Sequence, residues 1–223
     1  MKIIIDALCA LAIALIYPFL FILAKLRILK TPIMYHYPWT YDFSLKLFYG
    51  SFYKERSEIF LKAAKINRND SVLEIGCGSG ALCSRFKMKE YVGTDISDAM
   101  FIKNLPSNAR LIKADVNRLD LGRRFDKILM VDILHHVGRK GKALQRAVYH
   151  AKKDGKIYVW DAYSIKGRFE SLARQILSAF DGDEGDWYSA GEFKAALSKV
   201  RGAELVRFET YPKRNVLAVL EVL

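Results

Sequence analysis

The sequence predicts an α/β protein built on a doubly wound, mostly parallel seven-stranded sheet with an antiparallel last strand. Three observations point there. From Ser71 onward, short apolar runs alternate with helical stretches, the pattern of a parallel sheet with crossover helices. A glycine turn, Gly76-Cys77-Gly78-Ser79-Gly80, separates the first such run from a helical stretch. Two late strands are joined by the short connection Tyr211-Pro212-Lys213-Arg214-Asn215, and so brief a link implies an antiparallel pair.

The first element predicted is a transmembrane helix. No charge interrupts Ala7 to Ala24, and about 18 apolar residues suffice to cross a hydrocarbon core. Pro18 is tolerated in such a span. A cleaved signal peptide is the alternative, but the small-x-small triplets from Ala10 to Ala14 lie inside the apolar run, where a cleavage site should follow it. Lys25, Arg27 and Lys30 follow the run, while only Lys2 and the amino terminus precede it. The positive-inside rule then predicts a single-pass protein of the cell membrane, with everything after residue 24 facing the cytoplasm. Residues 1–30 read as the anchor and its basic flank, 31–70 as an N-terminal cap helix region, and 71–223 as the main domain.

The net charge of +12 raises the question of nucleic acid. The basic residues are dispersed, however, without a dense run or an aromatic RNA-binding signature. Nine basic against four acidic residues between Lys25 and Asp70 favour a membrane partner with anionic head groups. Cys9, Cys77 and Cys83 have neither metal-ligand spacing nor a disulfide framework, which suits a reducing compartment.

The spacing of Phe48, Phe52, Phe60, Ala63 and Ala64 predicts a helix over 43–66. Strands are expected at 71–75, 91–94, 110–113, 126–131 and 156–160, with two more near 205–209 and 216–222. Helices are expected at 81–87, at 100–105 behind a Ser97 cap, and at 141–153, the last ended by Asp154-Gly155. Ser189-Ala190-Gly191-Glu192 has the form of a capping box, so a further helix starts there.

The glycine turn taken alone satisfies a dinucleotide fingerprint, G-x-G-x-x-A, with Asp95 at a suitable distance. Three features argue against that ligand. Glu74 would sit poorly beside a pyrophosphate but suits a ligand bearing an ammonium. The third glycine, Gly80, is not required by the dinucleotide pattern. No second substrate domain follows.

Val72-Leu73-Glu74-Ile75-Gly76-Cys77-Gly78-Ser79-Gly80 resembles motif I of the class I S-adenosylmethionine-dependent methyltransferases, the small type 11 enzymes in particular. Gly93-Thr94-Asp95-Ile96-Ser97 is similar to their motif II, Lys113-Ala114-Asp115-Val116 to motif III, and Phe125 to Val137 to motif IV and its extension. The resemblance covers about residues 45 to 223. It implies a Rossmann-like fold with S-adenosyl-L-methionine as cofactor, held by Glu74, Gly76, Cys77, Gly78, Gly80, Asp95, Ile96, Asp115, Val116 and Asp132. Asp95 is expected to bind the ribose hydroxyls and Asp115 the adenine amino group.

The end of the fourth strand adjoins the transferred methyl group in such folds, so His135, His136 and Asp132 are the catalytic candidates. A neutral imidazole there accepts a proton from a hydroxyl or amine nucleophile. His135 and His136 also admit structural or cofactor-side roles. Asp132 would contact the cofactor or orient one of the histidines. Tyr49, Asp161 and Tyr163 are candidate substrate residues, although aromatics such as Tyr49 are more often packing. Ile165, Phe169, Leu172, Ala173, Ile176, Leu177 and Phe180 form an apolar helical stripe that reads as a lid or as a helix packed on the domain. The expected activity is methyl transfer to a lipid or another hydrophobic, membrane-associated small molecule. The alternatives are a membrane-located protein or RNA methyltransferase and a non-catalytic assembly factor.

Overall fold

The computed structural model describes Ile4, Leu8, Leu11, Leu15, Leu45, Lys46 and residues 49–164 and 187–223. They fall into two compact units, one drawn from 1–59 and 165–184, the other from 60–164 and 185–223. In the first unit Tyr49, Phe52 and Arg56 are buried, and the Arg56 guanidinium lies 4.1 Å from the Tyr49 ring centroid. The predicted 43–66 helix is interrupted at Gly50, where φ is +54°, and α1 runs from Phe52–Ala64.

The second unit contains a seven-stranded sheet in the order β3-β2-β1-β4-β5-β7-β6. Its strands are β1 (Ser71–Ile75), β2 (Glu90–Asp95), β3 (Ala109–Lys113), β4 (Phe125–Val131), β5 (Ala151–Ala162), β6 (Ala203–Tyr211) and β7 (Asn215–Val222). β1 pairs parallel with β2 and β4, as do β2 with β3 and β4 with β5; β7 is antiparallel to both β5 and β6. The predicted Rossmann-like α/β architecture with a reversed last strand is therefore the one observed. All five residues of β1 are buried, as a strand covered on both faces requires, whereas the edge strand β6 is exposed or half-buried along its length.

The crossovers differ from expectation. The stretch predicted as a helix at 81–87 forms only a 3₁₀ turn, Ala81–Ser84. No helix forms over 100–105. The Phe101 amide donates to the Asp98 carbonyl, and the Ile102 amide donates to the Ser79 carbonyl, tying this segment to the glycine turn. Runs this short do not repay helix nucleation, so tertiary hydrogen bonds decide their shape. The connection from β4 to β5 carries α2 (Lys140–His150), which ends earlier than predicted. Asp154-Gly155 does not stop it; that pair sits inside β5, at an irregularity that advances the β4–β5 register from Phe125↔Ala151 to Lys127↔Lys156. A β-carbon on Gly155 would come within 2.8 Å of the Lys152 carbonyl.

The capping box forms as read. Ser189 Oγ accepts from the Glu192 amide, Glu192 accepts from the Ser189 amide, and α3 (Ala190–Ser198) follows. Among the described residues no helix is long and apolar enough to cross a membrane. The single-pass anchor is therefore not supported; apart from Leu8, Leu11 and Leu15 the predicted span lies outside the described residues. So do Phe48 and the stripe from Ile165 to Phe180.

Asn215, fully buried at the start of β7, fixes the reversal of the sheet. Its Oδ1 accepts from Trp160 Nε1 at 2.9 Å, and its Nδ2 donates to the Pro212 and Lys213 carbonyls at 3.0 Å each. Asn215→Ala is expected to lower unfolding stability by about 2–4 kcal/mol, because it orphans a buried indole N–H and two carbonyls. Urea denaturation followed by Trp fluorescence measures this.

Candidate functional site

The order 3-2-1-4-5 places a crevice at the carboxyl ends of β1 and β4, where the winding direction reverses. The glycine turn closes over it. Gly76, Gly78 and Gly80 have φ of +75°, +54° and +78°, a region that a side chain makes costly. At Gly76 the space is also filled: a β-carbon would lie 2.2 Å from Ile133 Cδ1. At Gly80 it would meet Leu111 at 2.6 Å, whereas at Gly78 the nearest atom is Met100 Cε at 3.7 Å. The turn is therefore packed hard on the protein at both ends and open in the middle. The Gly76 and Cys77 amides both donate to the Thr94 carbonyl, locking the turn to β2.

Asp95 ends β2, half-buried. Its Oδ2 accepts from the Gly78 amide at 2.9 Å and its Oδ1 from the Ser97 amide at 3.0 Å. Burial raises its carboxyl, and the Ser97, Gly78 and Ile96 amides oppose that rise. Each oxygen keeps a second lone pair, which is what a bidentate acceptor for two hydroxyls needs. The next residue, Ile96, is an exposed hydrophobic side chain at the same edge, 63% accessible. Asp115 caps the 3₁₀ turn Val116–Arg118 by accepting from the Asn117 amide at 2.8 Å, and Val116 beside it is buried. These residues fit an adenosine-bearing ligand: paired acceptors for a ribose, a half-buried acid further on, and apolar surface between them.

Glu74 is 3% exposed and accepts a hydrogen bond from the buried Tyr91 hydroxyl. Burial drives its carboxyl from the ordinary 4.5 up to about 8, opposed by Tyr91 and aided by the nearby Asp95 charge. In this structure it is an interior acid beneath the turn, bonded to Tyr91. Cys77 and Cys83 are free thiols packed on this face, both pushed up by burial and by Glu74.

Beyond β4, Asp132 takes a left-handed conformation (φ +51°) and its amide donates to the Trp160 carbonyl. The 3₁₀ turn Leu134–His136 then presents the two imidazoles. His135 Nδ1 lies 2.5 Å from Asp161 Oδ1, and the Asp161 carboxylate, fully buried at the end of β5, also accepts from the Leu134 and Ala162 amides. The carboxylate that orients a histidine is thus Asp161. Asp161, read as a substrate residue, takes towards His135 the orienting role that was one of the two expected of Asp132. The His136 ring lies tilted against that of His135, with centroids 3.9 Å apart, and the Trp187 ring lies tilted against the His135 ring at 4.9 Å. Burial, His135 and Lys140 hold the His136 imidazole well below its ordinary range, so it is neutral at physiological pH.

Tyr163 is half-buried against the core, with its amide donating to the Arg214 carbonyl. Tyr49 belongs to the other unit, so nothing places it with these residues. Sequence reading missed three participants. Tyr91 is invisible as a partner of Glu74 until β1 and β2 are set in register, with Val72 opposite Tyr91 and Glu74 opposite Gly93. Trp187 sits just before the capping box, which was itself legible. Lys140, 4% exposed, donates to the Val137 carbonyl at 3.0 Å and lies 5.1 Å from the Tyr188 ring centroid.

Residues 73–157 match the profile of a methyltransferase domain. Two curated relatives are plant enzymes. The (S)-coclaurine N-methyltransferase of Papaver somniferum is 24% identical over 164 residues, covering 68% of this chain and 44% of that protein. The (S)-tetrahydroprotoberberine N-methyltransferase of Eschscholzia californica is 27% identical over 167 residues, covering 68% and 45%. The chain thus spans less than half the length of either relative. The solved N-methyltransferase NodS from Bradyrhizobium japonicum WM9, in complex with S-adenosyl-L-homocysteine, superposes with a TM-score of 0.59 at 15% identity, covering 77% of this chain and 88% of that one. Over residues 73–157 this chain is thus similar to methyltransferase domains, and it shares the fold of a neighbour solved with S-adenosyl-L-homocysteine.

Two outcomes are expected at the turn. Gly76→Ala loses about 2–4 kcal/mol of stability, since strain and a clash with Ile133 add, while Gly78→Ala loses about 1–2 kcal/mol from backbone strain alone. Chemical denaturation of both variants checks the contrast. Glu74 ionises near 4.5 unfolded and near 8 folded, so the unfolded chain binds fewer protons between these values and stability falls as pH rises through that window. Glu74→Gln, which still accepts from Tyr91, flattens this dependence, a difference on the order of a few kcal/mol by pH 8. Urea midpoints at pH 5.5 and 8.5 for both proteins read it out.

Proposed function

We propose that this methyltransferase domain transfers the methyl group of S-adenosylmethionine to the nitrogen of a hydrophobic amine. The observation that carries the reading is the Asp161–His135 pair at the carboxyl edge of β4 and β5, with the Trp187 ring beside it. The names of the curated relatives and of the solved NodS protein, all N-methyltransferases, support nitrogen as the attacked atom.

When bound, the cofactor supplies a methyl group on a sulfonium, displaced in line by the acceptor nitrogen while the C–S electron pair leaves on sulfur. The chain's own residues have two tasks, to orient the acceptor and to manage a proton. Asp161 accepts the Nδ1 hydrogen of His135 and so selects the tautomer whose Nε2 is the proton acceptor. A primary or secondary amine, once methylated, is an ammonium that still carries an N–H proton, and His135 Nε2 takes it. Its positive charge is then balanced by the buried Asp161 carboxylate, the arrangement that makes an orienting acid effective. The neutral His136 ring and Trp187 offer aromatic faces, which suit an acceptor with an apolar body and a developing ammonium.

A second reading concerns location. Ile4, Leu8, Leu11 and Leu15 are helical and each at least 58% exposed, at intervals of four, three and four residues that put them on one helical face. With Lys25, Arg27 and Lys30 following, this stripe suits attachment of the chain to the cytoplasmic face of a membrane, where a lipid-like acceptor would be met. Fractionation of expressing cells settles it: a chain that stays in the supernatant without detergent would not be so attached.

Incubation with labelled cofactor and cell extracts should place label in organic-extractable amines. Label confined to macromolecules, or to esters and ethers, would refute the acceptor class. On an active acceptor, His135→Gln is expected to lower kcat by about 10²–10⁴-fold with little change in cofactor affinity, and Asp161→Asn by a comparable factor. Calorimetric cofactor binding beside single-turnover rates separates the two effects.

A further inference from the structure

We propose that a cavity at the opposite edge of the sheet binds a phosphate-bearing ligand. It is an open cavity of about 510 Å³ lined by Arg124, Lys142, Gln145, Arg146, Val148 and Tyr149, together with Gly202, Val222 and Leu223. Arg124 immediately precedes β4, whereas the glycine turn follows β1, and these strands run parallel. The cavity therefore lies a full strand length from the cofactor crevice and serves a separate ligand.

Its chemistry is one-signed. Three cationic side chains line it, and no anionic side chain does. Among the described residues none of the three cations forms an ion pair. Lys142 and Arg146 stand four residues apart on α2, where like charges repel. Arg146 runs along the exposed Tyr149, 5.7 Å from its ring centroid. Two guanidinium groups and an ammonium around one hollow match the doubly charged, tetrahedral oxygen array of a phosphate better than a single planar carboxylate. Val148, Val222, Leu223 and the Tyr149 ring supply apolar surface for an organic body, so a phosphate ester fits better than the bare ion. Such an ester is either a free phosphorylated molecule or the head group of an anionic lipid.

The full chain distinguishes these sources. Glycerol 3-phosphate is titrated by calorimetry, and vesicles of phosphatidylcholine with or without phosphatidylglycerol are co-sedimented with the protein. The variant Arg124→Gln, Lys142→Gln, Arg146→Gln is compared with a charge-matched control, Lys87→Gln, Lys89→Gln, Lys199→Gln, and S-adenosylmethionine binding by both verifies folding. The expected result is a loss of about tenfold or more with the cavity variant alone, an effect of about 1.4 kcal/mol. Loss with glycerol 3-phosphate identifies a free ligand; loss confined to phosphatidylglycerol vesicles identifies a lipid head group. If neither probe binds the unmodified chain, or both variants behave alike, the proposal is overturned.

Discussion

The site depends on how closely the chain leaving β1 can approach the chain leaving β4. At Gly76 that approach leaves no room for a methyl group, because the Ile133 side chain already occupies the position a β-carbon would take. The contact brings the end of the cofactor cradle against the start of the segment bearing both histidines. The two strand ends are thereby set in one frame, since a shift at either displaces the other. Asp161 extends the frame to β5. One buried carboxylate accepts from the Leu134 and Ala162 amides and from His135, so the histidine is held to backbone rather than to another mobile side chain. A buried acid with three donors is well satisfied, which is the condition under which a carboxylate tolerates full burial.

Much of the sheet was legible because strands buried on both faces read as continuous apolar runs, as β1 and β7 do. The reversed end was legible from one short connection. The positions of Asp95 and Asp115 were legible because the first ends β2 and the second lies just past β3, where the topology leaves little choice of direction. What failed was the connecting structure. At 81–87 and 100–105 residue propensities suggested helix, but a bond from Ile102 to Ser79, between segments remote in sequence, prevailed. Asp154-Gly155 was misread for a related reason. That pair ends helices and makes strand irregularities equally well, and only the register with β4 tells them apart.

Within the site, types of residue were easier to read than pairings. Both histidines and both carboxylates, Asp132 and Asp161, were visible as candidates near strand ends. Which carboxylate meets which imidazole depends on the relative lengths of β4 and β5, and β5 extends through Ala162. Glu74 shows the converse. Its position before the glycines suggested a charged partner, yet its environment is set by Tyr91 on the neighbouring strand and favours the neutral acid.

The placement of β7 between β5 and β6 bears on how the chain is made. Strand β6 emerges from synthesis before the strand that separates it from the rest of the sheet, and it has no other neighbour. Until Asn215–Val222 arrives, β5 and β6 each present an unpaired edge, and the apolar side chains that β7 will cover lie open. The half of the sheet from β1 to β5 is complete in sequence well before that, so nascent chains pass through a state with a finished cofactor cradle and an unfinished border. Such a state is the one most exposed to strand addition by a neighbour, which makes the last eight residues of the sheet a point of vulnerability during biogenesis as well as a structural closure.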